Sequence, residues 1–176
     1  MTENTHKEFM EEIFNKHSSM VYRTAYFLTK SREMADDITQ ETFIRMIKKI
    51  HLYDSEKPIE PWIYKITINI TRNMIRKQKL INLIRPSDIP RGKAVETTIL
   101  ENERKDDLWK EINQLSYKSK EVIILHFYSE LTLAEVANSL NIPIGTCKSR
   151  LNYALTKLRE SIPDKEIFKQ KLKEGI

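Results

Sequence analysis

The chain has 176 residues and a mass of 20.9 kDa, with 40% hydrophobic and 31% charged residues, too apolar for a disordered polyelectrolyte and too charged for a membrane-embedded chain. Its three glycines, Gly92, Gly145 and Gly175, are scattered, which excludes a P-loop or a G-x-G-x-x-G fingerprint, and its one cysteine, Cys147, excludes a disulfide framework or a Cys-rich zinc site. The net charge of +5 is laid out in blocks: residues 1–41 sum to −3, 42–85 to +7, 86–115 to −2 and 116–176 to +3.

No apolar run exceeds about four residues, so neither a membrane helix nor a signal-peptide core is expected, and a reducing, cytoplasmic setting is. In chain order, Phe9, Ile13, Met20, Val21, Ala25 and Leu28 recur at helical spacing. After a break near Ser31, Ala35, Ile38, Phe43, Met46, Ile47 and Ile50 continue the pattern as the core-facing side of a second stretch. A polar loop from His51 to Glu60 ends at Pro61, which suits the first turn of a helix because its missing N–H is not needed there. Trp62, Ile66, Ile70, Met74 and Ile81 predict the apolar stripe of that helix. A strand over the β-branched Ile66–Ile70 run is the weaker alternative, because the run lacks alternation and continues to Leu80 without a turn signal. Pro61–Arg85 holds six bases and no acid, a pattern that points to a polyanionic partner.

Pro86, Ser87, Asp88, Pro90 and Gly92 bring turn chemistry without periodicity, and helical spacing resumes at Leu108, Trp109, Ile112 and Leu115, then Val122, Leu125 and Tyr128. The expected organisation is an all-α chain of two small helical domains: residues 1–85, a linker over 86–104, a second domain over 105–162 and a tail over 163–176. If extended, such a linker reaches roughly 60 Å at about 3.3 Å per residue, enough to let both domains touch one stretch of duplex.

The clearest local signal spans Leu131–Leu158. Thr132-Leu133-Ala134-Glu135 reads as a capping box, Asn141-Ile142-Pro143 as a tight turn, and the helix after it is expected to bury Ile144, Cys147, Leu151, Ala154, Leu155 and Leu158. Its other face offers Thr146, Lys148, Ser149, Arg150, Asn152 and Tyr153. Two short helices with Ala134 or Ala137 near their crossing form a helix-turn-helix, whose second helix can reach phosphates and base edges. Cys147 reads as a small buried residue, the four histidines have no metal-ligand spacing, and no catalytic constellation stands out.

Leu131–Ala137 followed by Ile142–Leu151 resembles region 4 of extracytoplasmic-function (ECF) sigma factors of the sigma-70 family. Asp36-Asp37-Ile38-Thr39-Gln40-Glu41-Thr42-Phe43 resembles their region 2.2, and Pro61–Ile66 with Asn69 and Asn73 resembles regions 2.3–2.4. The resemblance implies a sigma region 2 helical bundle and a sigma region 4 helix-turn-helix in a protein that is not an enzyme. It implies binding to core RNA polymerase and promoter-specific transcription initiation in an envelope or other stress response. It assigns core-polymerase binding to Asp36, Asp37, Gln40, Glu41 and Phe43, the −10 element to Asn69, Arg72, Asn73, Arg76, Lys77 and Lys79, and the −35 element to Thr146, Lys148, Ser149, Arg150, Asn152 and Tyr153. The expected partners are core polymerase, promoter DNA and a cognate anti-sigma factor, which in the family is often membrane-anchored; no cofactor, metal or small-molecule substrate is expected. The 52–60 loop stands where the family captures a flipped base but departs from its aromatic-Arg-Gly pattern, and Tyr153 and Leu155 stand where arginine is common. The alternative from the residues alone is a helix-turn-helix regulator that acts without polymerase.

Overall fold

The structure, a computed structural model, describes residues 3–84 and 103–161, with side-chain surroundings for 8–84 and 108–161. All regular elements among them are helical: α1 (Glu3–Thr29), α2 (Arg32–Lys49), a 3₁₀ turn (Ile50–Leu52), α3 (Ile59–Ile84), α4 (Glu103–Gln114), α5 (Tyr117–Ile123) with a π turn after it (Ile124–Tyr128), α6 (Leu133–Leu140) and α7 (Ile144–Ser161). Among the described residues no helix is long and apolar enough to cross a membrane. Residue contacts group the chain into two compact units, Met1–Gln78 and Lys79–Ile176. The linker expected over 86–104 lies outside the described residues as far as residue 102, with Glu103 and Arg104 already in α4, and the expected tail 163–176 lies outside them entirely.

In the first unit the break near Ser31 is a built stop and start. Lys30 takes a left-handed conformation (φ 58°), its N–H donates to the Tyr26 carbonyl (2.8 Å), and its ammonium lies 5.8 and 5.5 Å from the Tyr26 and Phe27 ring centroids. Ser31 then caps α2, its Oγ accepting the Met34 N–H at 3.2 Å. One cluster joins Ile13 and Val21 of α1 to Phe43 and Met46 of α2 and Ile63 of α3, and a second joins Ala25, Ala35, Ile38 and Ile70. Buried threonines fit this apolar packing because each hydroxyl donates to the carbonyl four residues earlier: Thr42 to Ile38 (2.7 Å), Thr67 to Ile63 (2.9 Å) and Thr71 to Thr67 (2.8 Å). The Ile66–Ile70 run is helical throughout.

Three expectations about the core are corrected. Ile47 and Ile81, assigned to apolar stripes, are 57% and 42% exposed, and Ile144 is 44% exposed. Ile47 lies nine residues from the buried Ile38, half a revolution away at 100° per residue, so one helix face cannot hold both. Ile81 lies among exposed Leu80, Leu83 and Ile84 at the end of α3. Ile144 opens α7, one turn before the first fully buried position, Cys147.

In the second unit α7 packs against α4, α5 and α6. The last turn of α5 widens into the π turn over Ile124–Tyr128, closed by the Ser129 N–H on the Ile124 carbonyl at 3.0 Å. Every residue from Glu121 to Leu125 is buried. His126 Nδ1 lies 2.7 Å from the Leu131 carbonyl, which requires the proton on Nδ1 and ties the π turn to the residue preceding the α6 cap.

Candidate nucleic-acid and partner interfaces

The outward face of α2 is acidic with an apolar centre. Asp36, Asp37 and Gln40 are exposed, and Ile44 (44% exposed) and Ile47 fall within the same arc of roughly 140°. Glu41 shares this face but is engaged, accepting from Arg45 Nε at 2.6 Å one turn on. Phe43 lies just past the edge of that arc and turns inward. Placed with the surface anchors from the sequence, it is only 5% exposed and meets the ring of Phe14 edge-on at 4.8 Å, so it belongs to the core. Ile44 and Ile47 supply the exposed apolar surface instead. The phase of Ile47, opposite Ile38, is the signal in the sequence that marks it as outward-facing.

On α3 the acid-free run becomes a continuous face. Asn69, Asn73, Arg76, Lys77 and Lys79 are exposed and Arg72 is half-buried, together spanning an arc of roughly 160° opposite the buried Ile63, Thr67 and Thr71. Trp62 begins the strip, half-buried against the first core cluster, with the Tyr53 ring 5.3 Å away. The preceding loop is closed on itself: the Tyr53 hydroxyl donates to the Lys57 carbonyl, Lys57 Nζ lies 2.6 Å from Asp54 Oδ2, and Asp54 Oδ1 accepts the Glu56 N–H at 3.2 Å. These bonds hold the Asp54 carboxyl below, and the Lys57 ammonium above, their ordinary pKa values.

Glu60, in the first turn of α3, ties this region to α1 through His17 Nε2 (3.8 Å) and Lys16 Nζ (3.9 Å). Burial lowers the His17 pKa below 6.5 against the opposing pull of Glu60, with Lys16 adding to the lowering. A histidine whose folded pKa is depressed favours the neutral form, so its contribution to stability is complete above about pH 6.5 and is lost as pH falls below that value. Urea midpoints should therefore fall between about pH 7.5 and about pH 5.5 in the wild type and fall less in His17→Gln; equal slopes would refute this.

The helix-turn-helix is present as α6 and α7. The capping box is complete, with Thr132 Oγ1 accepting the Glu135 N–H (3.3 Å) and Glu135 Oε2 accepting the Thr132 N–H (2.8 Å). Asn141 ends α6 in the left-handed region (φ 54°), and the Ile142 N–H closes the turn on the Ala137 carbonyl at 3.0 Å. Of the two alanines expected near the crossing, Ala137 is buried and Ala134 is exposed. Cys147, Leu151, Ala154 and Leu158 bury the inner face of α7. Burial pushes the Cys147 thiol pKa up, which suits a packing role. Outside, Lys148, Ser149, Asn152 and Tyr153 are exposed and Thr146 and Arg150 are half-buried on one flank. A hollow of about 150 Å³ within this unit is lined by Gln114, Ser116, Tyr153 and Lys157 among others.

Residues 13–81 match the family model for Sigma-70 region 2, and residues 112–160 match that for Sigma-70, region 4. The ECF RNA polymerase sigma factor SigW of Bacillus subtilis is 30% identical over 165 residues, covering 87% of this chain and 88% of the relative. The chain belongs to the ECF sigma factor family. A further relative of this sigma factor, RNA polymerase sigma factor SigV of B. subtilis, is 29% identical over 167 residues, covering 93% of the present chain and 96% of its own. Among solved structures, the sigma factor RpoE from Bartonella quintana, in complex with the anti-sigma factor NepR, shares the fold with a TM-score of 0.78 at 22% identity, over 90% of this chain and 99% of that one. In this sigma factor, therefore, α2 and α3 fall in region 2 and the α6–α7 pair in region 4.

Proposed function

We infer that this sigma factor binds core RNA polymerase and directs it to promoters, region 2 engaging the core enzyme and the −10 element and region 4 the −35 element. The observation that carries the reading is the arrangement of three exposed faces on helices of the two matched regions. They are the acidic and apolar face of α2, the acid-free face of α3 and the cationic face of α7.

Asp36, Asp37, Gln40 and Glu41, joined by Ile44 and Ile47, suit a basic helical partner: charge guides the encounter and the isoleucines give it a dehydrated centre. Asn69, Arg72, Asn73, Arg76, Lys77 and Lys79 suit a separated DNA strand, with amides for base edges and cations for phosphates. Lys148, Ser149, Arg150, Asn152, Thr146 and Tyr153 suit the major groove of the −35 duplex. The proposed domains are residues 1–85 for region 2 and 105–162 for region 4. The sigma factor makes or breaks no bond; it selects where the polymerase starts. The shared fold supports an anti-sigma partner, since the B. quintana relative is held by one.

In vitro transcription with purified core polymerase and a mixture of genomic promoters tests this directly. Promoter-specific transcripts should appear only when the protein is added, and their absence with folded protein refutes the reading. Arg150→Ala should lower transcription from −35-dependent promoters roughly ten-fold or more, the scale of one lost base or phosphate contact, while core binding is kept.

A further inference from the structure

We propose that Gly145 is a clearance residue, whose bare Cα sets how closely the first turn of α7 can approach the DNA duplex. This rests on the reading of α7 as the −35 recognition helix and adds a steric determinant that its polar side chains do not supply.

Nothing inside the described chain calls for a glycine at this position. Gly145 is the second residue of α7, its backbone does not lie in the left-handed region, and a Cβ built on it meets nothing within 4 Å. No turn, helix crossing or neighbouring backbone needs the missing side chain. Glycine in a helix is disfavoured relative to alanine because it gives up more backbone freedom and leaves the main chain exposed to water. Taken on internal grounds alone, alanine would serve better.

The position of the gap shows what it faces. At 100° per residue, Gly145 shares the middle of the outward side of α7 with Ser149 and Asn152, opposite the buried Cys147, Leu151 and Leu158. Lys148 lies about 60° from Gly145 on one flank, and the half-buried Arg150 about 140° from it on the other. The open space therefore lies on the same line as the polar Ser149 and Asn152 assigned to the duplex, on the turn that leads a recognition helix into a groove. A methyl group there would stand between the helix and the DNA surface and hold Ser149 and its neighbours back from base and phosphate. Ile144, exposed beside it, is left free to make apolar contact at the same edge, where a thymine methyl is the matching group.

The test uses full-length protein assembled with core polymerase and the promoter duplex that gives the strongest transcript with the wild type. Gly145→Ala should leave the melting temperature unchanged or raise it, leave core binding unchanged, and weaken promoter binding roughly ten-fold; Gly145→Leu should weaken it further. Arg150→Ala is measured alongside. If Arg150→Ala weakens promoter binding and Gly145→Ala does not, the clearance role is overturned while the −35 assignment stands. If neither variant weakens it, the −35 assignment fails and the clearance role with it. If Gly145→Ala lowers the melting temperature as much as it lowers binding, the glycine serves the fold and the proposal is overturned.

Discussion

Replacing Ile44 and Ile47 together with alanine should weaken binding to core polymerase about 100-fold, corresponding to two interface truncations of about 1.4 kcal/mol each. Both side chains are exposed, 44% and 57%, so their loss removes little internal packing. Alanine is also the better helix former, so the melting temperature should stay level or rise slightly. Fluorescence anisotropy of labelled protein titrated with core enzyme measures the first quantity and thermal unfolding the second. Unchanged affinity would show that the acids and Gln40 carry the contact and that the isoleucines lie outside it. Asp36→Asn with Asp37→Asn offers a contrast: its effect should fall mainly on the association rate and shrink at high salt.

Ile38→Ala, in the same helix, should do the opposite. Ile38 is fully buried in the cluster with Ala25, Ala35 and Ile70, and the two alanines are too small to reach into the space it would vacate. The expected cost is about 2–5 kcal/mol of stability, the range for truncating a large aliphatic side chain in a core. Urea denaturation measures it; a cost below about 1 kcal/mol would mean that the surrounding helices close over the gap. At permissive temperature, the fraction of Ile38→Ala that remains folded should bind core enzyme normally, because its outward face is untouched. The two experiments together separate the inner and outer sides of α2.

The isoleucines of α2 also mark how far the sequence was legible. The helices, the break at Ser31, the capping box at Thr132–Glu135 and the helix-turn-helix arise from local chemistry, where spacing and a few hydroxyl or carboxylate groups decide the outcome. The β-branched run in α3 was readable as helix from its length and lack of alternation. The structure adds that Thr67 and Thr71 keep their hydroxyls satisfied within the helix. Composition alone could not say which way an apolar side chain points. Ile47 looks like a core residue until Ile38 fixes the phase of its helix, whereas Ile144 keeps the phase of the buried Leu151 and is exposed because it opens α7. For Phe43 the apolar spacing points inward while the family resemblance points outward, and only the structure decides: it is buried, edge-on to Phe14 from far earlier in the chain. The link from His17 to Glu60 is likewise a tertiary contact with no local pattern to announce it.

The π turn at the end of α5 bears on how region 4 tolerates change in chain length. Its ring closes over five residues, from Ser129 back to Ile124, where a regular turn would close over four, so this turn holds one residue more than an α-helix of the same height. It can be understood as an insertion absorbed in place: the chain stays helical, and the surplus is taken up as a wider loop, leaving the register of α6 and α7 undisturbed. Excising a single residue between Ile124 and Tyr128 would restore regular winding, whereas the same deletion in the middle of α7 would rotate everything beyond it by about 100° and carry Leu158 out of the core. Length variation among related chains should accordingly be more readily accommodated at this turn than within the recognition helix.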